Sequence, residues 1–315
     1  MATYAIATAT EDTHVEEYRR AERALWDHYD LRPSERFVDV DSVGARLRVL
    51  EAGEGIPVLF VHGTVGPGSW VSLVRQLPGL RSIVLDRPGW ALSTPIDFSR
   101  REYGPLTADL LRGVLDGLGL DRAHLVGGSI GNVWALRLAL RYPDRVGRVV
   151  LTGGGPIVDR AGVPGVIRVL ASPAGALMVR LSRKPKMVRT MLRKSGHGAS
   201  LDAGRIPDAF IDWRAALGRE TESMRHEREM VQAVVSGRDY RPGVTFTGTE
   251  LAAIAAPMLH IFGTEDPVGT AVLWSEVARL LPHGELRVVD GAGHMPWFDD
   301  VEGVGRIVRR FLTAD

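Results

Sequence analysis

Short apolar runs alternate along this chain with segments whose apolar residues return every three or four positions. "IPVLFVHG", "RSIVLDRPG", "AHLVGGS" and "GRVVLTGGG" are compact and rich in Val, Leu and Ile, and each runs into or towards glycine; they read as buried strands. Helical spacing falls between them, in "SWVSLVRQL", "PLTADLLRGVLDGLG" and "NVWALRLALRYP", the last stopped near Pro143. Ahead of the series, "ERFVDVDSV" and "ARLRVLEAG" predict a hairpin through Gly44. Near the end, "APMLHIFG" and "GELRVVDGAG" predict strands, while "TAVLWSEVARLLP" and "VEGVGRIVRRFL" predict helices. Strands alternating with helices imply a largely parallel sheet covered on both faces.

The rhythm breaks twice. "HVEEYRRAERALWDHYDL" predicts an amphipathic helix before the first strand, with a packing role. From Ile157 to Ala256 the alternation stops. Helical stretches such as "PGVIRVLASPAGALMVRLS" and "RHEREMVQAVVS" take its place. An insertion of that length between core strands predicts a helical cap over the sheet edge where such folds bind ligands. The expected organisation is a core of residues 1–156 and 257–315, with 1–35 a helical extension, and a cap of 157–256.

Composition changes the picture by exclusion. The chain has 315 residues, a net charge of +1 and no cysteine, so disulfides, thiolate metal sites and a cysteine nucleophile are ruled out. The balanced charge gives no global pull towards nucleic acid. No uncharged apolar run is long enough to span a bilayer and none resembles a signal peptide, so a cytoplasmic protein without membrane insertion is expected.

The chemistry centres on "GGSIG". Ser129 stands between an apolar strand and a helix, with Gly127 and Gly131 at the spacing G-x-S-x-G. A sharp strand-to-helix turn that projects one side chain needs small neighbours. A serine hydroxyl needs a base, and the base needs an acid to orient it. Of nine histidines, His294 in "GAGHMPWF" follows the last strand and is the best placed. Asp266 in "IFGTEDPVGT" is the acid of choice; Glu265 reads as solvated and Asp159 is the alternative. His62 and His260 read as structural, and His14, His28, His197, His226 and His283 as exposed. Oxyanion donors are expected from the backbone N–H of Ile130 and of Thr64, with Val65 second. Trp70, Trp90 and Trp297, with Val65, are candidate pocket walls. "VRLSRKPKMVRTMLRK" is strongly basic and reads as a solvated face with Val188, Met191 and Leu192 turned inward.

Taken together, "HGTVGPGSW", "DRPGWALS", "GGSIG", "GTEDP" and "GAGHMPW" resemble the α/β-hydrolase superfamily, in its order and at similar intervals, from about Arg36 to Leu312. Ala91 departs from the pattern, which commonly has glycine there. The resemblance implies an eight-stranded, mostly parallel sheet with a cap after strand 6, and a serine hydrolase without metal or organic cofactor acting on a small molecule. A serine in place of aspartate argues against haloalkane dehalogenase and epoxide hydrolase chemistry. The expected substrate is a carboxylic ester or lactone. Carbon–carbon bond hydrolysis, perhydrolysis, or non-hydrolytic ligand binding or lyase chemistry are the alternatives.

Overall fold

The computed structural model describes residues 9–159, 162–181, 183–269, 275–277 and 279–314. Helix α1 (Ala9–His28) leads into strands β1 (Ser34–Val40) and β2 (Ala45–Ala52), joined by a turn in which Gly44 takes φ 67°. Then come β3 (Ile56–Val61), a short helix α2 (Val71–Val74), β4 (Leu80–Leu85), α3 (Tyr103–Gly117), β5 (Ala123–Gly128), α4 (Ile130–Arg141) and β6 (Val146–Thr152). The segment expected to be wholly helical, "SWVSLVRQL", instead splits into a 3-10 turn over Pro67–Trp70 and the four residues of α2.

Between β6 and the next long strand lie α5 (Gly165–Ala171), α6 (Gly175–Leu181), α7 (Pro185–Leu192), α8 (Gly198–Asp202), α9 (Asp208–Glu220) and α10 (Ser223–Val234). A small hairpin of β7 (Val235–Ser236) and β8 (Asp239–Tyr240) and a helix α11 (Gly248–Ala252) complete the insertion; the hairpin has no signal in the hydrophobic pattern. The chain closes with β9 (Met258–Gly263), β10 (Gly284–Val289), a helical turn Pro296–Asp299 and the helix Val301–Leu312. Of the helix expected over "TAVLWSEVARLLP", residues 275–277 are helical, and 270–274 and 278 lie outside the described residues.

The eight long strands form one sheet in the order β1-β2-β4-β3-β5-β6-β9-β10. The β1–β2 and β2–β4 pairs are antiparallel and the rest parallel. The central strands β3 and β5 are apolar because both their faces are covered, one by α3 and α4, the other by Trp70, Val304 and Val308. Edge strand β1 mixes buried and exposed positions, and edge strand β10 has only half-buried and exposed ones. This parallel arrangement brings the C-terminal ends of β3, β5, β6 and β9 to one edge of the sheet.

Helix α1 ties the insertion to the sheet. Its Tyr18 and Leu25 are fully buried, and it packs along α9. Its Glu22 meets Arg48 of β2, and Arg48 also pairs with Asp86 at 2.9 Å, all three buried. Ser93 closes the "DRPGWALS" turn by donating to the Asp86 carbonyl and accepting from the Arg48 N–H. In that turn Ala91 holds φ 47°, the left-handed conformation that explains why glycine suits the position.

Candidate functional site

At the end of β5 the backbone reverses within one residue. Ser129 sits at φ 55°, ψ −122°, a conformation that L-residues avoid and that costs of order 1–3 kcal/mol unless the surroundings impose it. Here the surroundings do. A Cβ on Gly131 would lie 2.0 Å from the Val61 carbonyl oxygen of β3. One on Gly127 would lie 2.7 Å from Asn132 Oδ1. The two glycines let α4 press against the sheet directly after the turn, and the Ser129 N–H is fixed by the Thr152 carbonyl at 3.0 Å. Asn132 locks the same corner by donating to the carbonyls of Thr152 and Gly154.

His294 reaches the same edge from the loop after β10. Its Nδ1 lies 2.9 and 3.0 Å from the two oxygens of Asp266, which follows β9. The carboxylate accepts the Nδ1 proton, so Nε2 is the basic nitrogen. That nitrogen would lie 3.5 Å from a Cβ on Gly153, the residue after Thr152. Ser129 and His294 therefore flank the end of β6. Asp266 is itself positioned, since its Oδ1 also accepts the Val268 N–H at 2.9 Å across Pro267. Both Asp266 and His294 are buried, while Ser129 is half-exposed. Glu265 is exposed, and the alternative acid Asp159 is an exposed partner of Thr245.

The loop after β3 faces the serine. A Cβ on Gly63 would lie 2.6 Å from the Ser129 Cβ, so no larger residue fits. The Gly63 carbonyl is held from behind by His62 Nδ1 at 2.7 Å and Arg87 Nη2 at 3.3 Å. A trans peptide points its N–H opposite to its carbonyl, so the Thr64 N–H is turned away from His62 and Arg87. Ile130 opens α4, and its N–H has no acceptor within the helix. His62 is structural: its Nε2 accepts the Arg87 N–H, and burial with Arg87 nearby holds its pKa well below the ordinary value. His260 is fully packed too, with Nε2 on the Gly154 carbonyl, and burial lowers it to about 4.

The three tryptophans expected in pocket walls are packed into the interior. Trp70 stacks on Trp297 with centroids 4.5 Å apart, and its ring edge rests on Gly128. Trp297 donates to the Ser69 carbonyl and Trp90 to Glu227. Trp297 also lines a cavity of about 140 Å³ with Leu25, Tyr29, Phe210 and Phe298. Val65 is half-buried beside the Gly63–Thr64 loop.

Two groups from the insertion join this edge, and the sequence reading had missed both. Arg214 of α9 is 3% exposed; its Nη2 lies 3.5 Å from the Thr64 carbonyl and 2.9 Å from Met224 Sδ. Its Nη1 has no hydrogen-bond partner among the described residues. Burial brings it down to about 10, opposed by Glu227, so it stays charged at neutral pH. Glu227 is already engaged by Arg87 at 2.8 Å.

His197 corrects the expectation of an exposed side chain, being fully buried. The turn Ser195–His197 grips the loop that carries His294. The Ser195 carbonyl accepts the His294 N–H at 2.8 Å, and His197 Nε2 accepts the Met295 N–H at 3.2 Å. His197 Nδ1 then donates to Asp299 at 2.8 Å, and Asp299 also accepts from the Gly293 N–H and Ser200. Burial works against the Asp299 charge, but these donors hold its pKa below the ordinary value. Gly196, at φ 90°, lets this turn sit against Gly293 and the Glu265 carbonyl. His197 lies in the polar run "RKSGH", which gives no sign of its burial.

No cluster of three or more metal-ligating side chains occurs among the described residues, and no helix among them is long and apolar enough to cross a membrane.

Known proteins share this fold. The family described as alpha/beta hydrolase fold matches residues 56–301. A 2-hydroxy-6-oxononadienedioate/2-hydroxy-6-oxononatrienedioate hydrolase of Burkholderia vietnamiensis is 32% identical over 294 residues, covering 88% of this chain and 95% of that protein. Naproxen esterase (carboxylesterase NP) of Bacillus subtilis has a TM-score of 0.72 at 18% identity, over 98% of this chain and 99% of its own. A meta-cleavage product hydrolase of Pseudomonas fluorescens has a TM-score of 0.68 at 22% identity, over 88% and 96%. The two structures speak for the fold; the family match and the Burkholderia relative extend over most of the sequence, and the chain belongs to the α/β-hydrolase family of hydrolases.

Proposed function

We propose that this protein hydrolyses a carbon–carbon bond beside a ketone in a small, carboxylate-bearing dienol acid of the 2-hydroxy-6-oxo type, with Ser129 as nucleophile. The observation that carries this reading is Arg214. A buried guanidinium with one unpartnered nitrogen, one peptide away from the loop that faces Ser129, suits an anionic substrate. The Burkholderia relative is named for a doubly acidic substrate of that kind. An ester or lactone, the first expectation from the sequence, gives Arg214 no comparable partner.

The steps use this chain's own groups. The dienol end of the substrate takes the keto form, placing a proton on the carbon next to the distal ketone. His294 Nε2 accepts the Ser129 hydroxyl proton as Oγ adds to that ketone carbon. The resulting oxyanion lies on the N–H groups of Thr64 and Ile130, each such donor worth about 3 kcal/mol of barrier. Collapse breaks the bond to the neighbouring carbon. The electron pair runs through the conjugated chain to the 2-oxo group, and His294 returns a proton to give the 2-hydroxydienoate. Water, deprotonated by His294, then frees the acyl group from Ser129. Asp266 keeps the imidazole oriented and stabilises its charged form. The inserted helices act as a cap that excludes water from the cleavage step and supplies Arg214.

The test compares kcat/KM for a synthetic 2-hydroxy-6-oxodienedioate, followed by loss of its dienol absorbance, with that for nitrophenyl esters and lactones. A preference of about a hundredfold or more for the dienol acid, abolished in Ser129→Ala, supports the proposal. A reversed preference makes the protein an esterase. Turnover of neither by a folded enzyme whose Ser129 still takes a fluorophosphonate sinks the proposed substrate and leaves the nucleophile standing.

A further inference from the structure

Large apolar side chains seldom stand in solvent here, and where they do they are not scattered evenly. Val166 (57% exposed), Val169 (47%), Leu177 (59%) and Leu181 (37%) are half of all those exposed among the described residues, and they fall within α5 and α6. Both helices pack on α10. Their inner sides carry Leu170, Ile167 and Val179 against the core. By helical spacing, Val169 and Leu177 point away from that side, and Val166 and Leu181 flank them.

The charge around these residues is one-sided. Residues 160–201 contain nine Lys and Arg and no Asp or Glu, which leaves 30 bases against 38 acids in the rest of the chain. Arg189 and Arg193 pair with Asp208 and Asp202. Arg168 and Arg180, which alternate with the exposed aliphatics, and Lys184 and Lys186 just beyond them, are exposed and form no ion pair among the described residues.

We propose that the outer face of α5 and α6, with the cationic start of α7, is a peripheral docking surface for an anionic lipid bilayer. Cations draw such a surface to phosphate headgroups, and aliphatic side chains enter the headgroup–acyl boundary. Charge complementarity and the aliphatic tips must coincide for this, and on this face they do. A nucleic acid would use the cations alone, because these aliphatics offer bases neither a stacking ring nor a hydrogen bond. The contact is in-plane, since no described helix is built to span. It does not depend on which bond the enzyme cleaves.

The experiment is flotation of the full chain with vesicles of phosphatidylglycerol and phosphatidylcholine in equal parts, against phosphatidylcholine alone. The protein should float with the anionic vesicles only. It should be released at about 1 M salt, where the Debye length falls to about 3 Å. Leu177→Ser/Leu181→Ser should cut binding about tenfold, and Arg180→Glu/Lys184→Glu should remove it. Both should keep the wild-type melting curve and fluorophosphonate labelling of Ser129. Val166→Ser/Val169→Ser gives the same reading if the leucine pair fails to fold. The proposal is overturned by absence of flotation with anionic vesicles, or by flotation that the aliphatic replacements leave unchanged. It is equally overturned if single-stranded RNA binds as tightly as the vesicles and is indifferent to the leucines, which would make this a nucleic-acid surface.

Discussion

The sheet edge and the insertion reach the same few ångströms of space by different means. At the edge, backbone does the positioning. Gly127, Gly131 and Gly63 allow approaches that any side chain would block, and Ser129 is forced into a left-handed turn by what surrounds it. In the insertion, side chains do it: Arg214 lies against a carbonyl of the neighbouring loop, and His197 holds the N–H beside His294. Backbone constraints leave marks at fixed short spacings. Side-chain contacts between residues 98 or 150 positions apart leave none.

The largest test of this contrast is at the edge. Ser129→Ala should lower turnover by at least about four orders of magnitude and abolish fluorophosphonate adduct formation. Ser129→Gly should be just as inactive, yet unfold at higher denaturant than Ser129→Ala, by about 1 kcal/mol, because glycine accepts φ 55° without strain. Equal stability of the two variants would mean that the turn is not held under strain.

The next test asks whether the insertion sets specificity. Arg214→Met should raise KM for the dienol acid about a hundredfold while leaving kcat/KM for an uncharged nitrophenyl ester within about threefold. A parallel loss on both substrates would make Arg214 a support for the Thr64 loop.

A smaller effect is expected at the hinge between the regions. His197→Ala should lower kcat about tenfold with little change in KM, because the loop bearing His294 loses a hydrogen bond without losing a substrate contact. Partial recovery in His197→Gln, whose amide can accept the Met295 N–H, distinguishes positioning from mere packing. A KM effect of the same size as the kcat effect would contradict it.

The smallest effect belongs to the sheet alone. His260 is held neutral, with its folded pKa at about 4 against about 6.5 unfolded, so the unfolded chain binds more protons between those values. Its share of stability is intact above pH 6.5 and drains away as pH falls towards 4. Urea titrations should show a loss of about 1 kcal/mol from this group between pH 6.5 and 5.5, absent in His260→Asn.

The elbow, the Asp266–His294 pair and the succession of strands and helices were legible because each is local or follows from alternation. "GGSIG" needs its glycines at that spacing, and "TEDPV" places an acid in a turn that its own backbone closes. A loop position says nothing about which way a ring turns: the three tryptophans all turn inward, Trp297 onto the cavity it lines with Phe210 and Phe298. His197 looked solvated among Lys194, Ser195 and Gly196, and only the fold buries it. The shift of preference from esters to a dienol acid likewise came from Arg214 and from relatives, since a triad is blind to the bond it breaks.

The bond from the His294 N–H to the Ser195 carbonyl ties the seat of the imidazole to the position of the inserted turn. A hydrogen bond is spent within about 1 Å of stretch. If the turn Ser195–His197 shifts, the main chain at His294 loses this anchor in the same movement, while its ring keeps the Asp266 carboxylate.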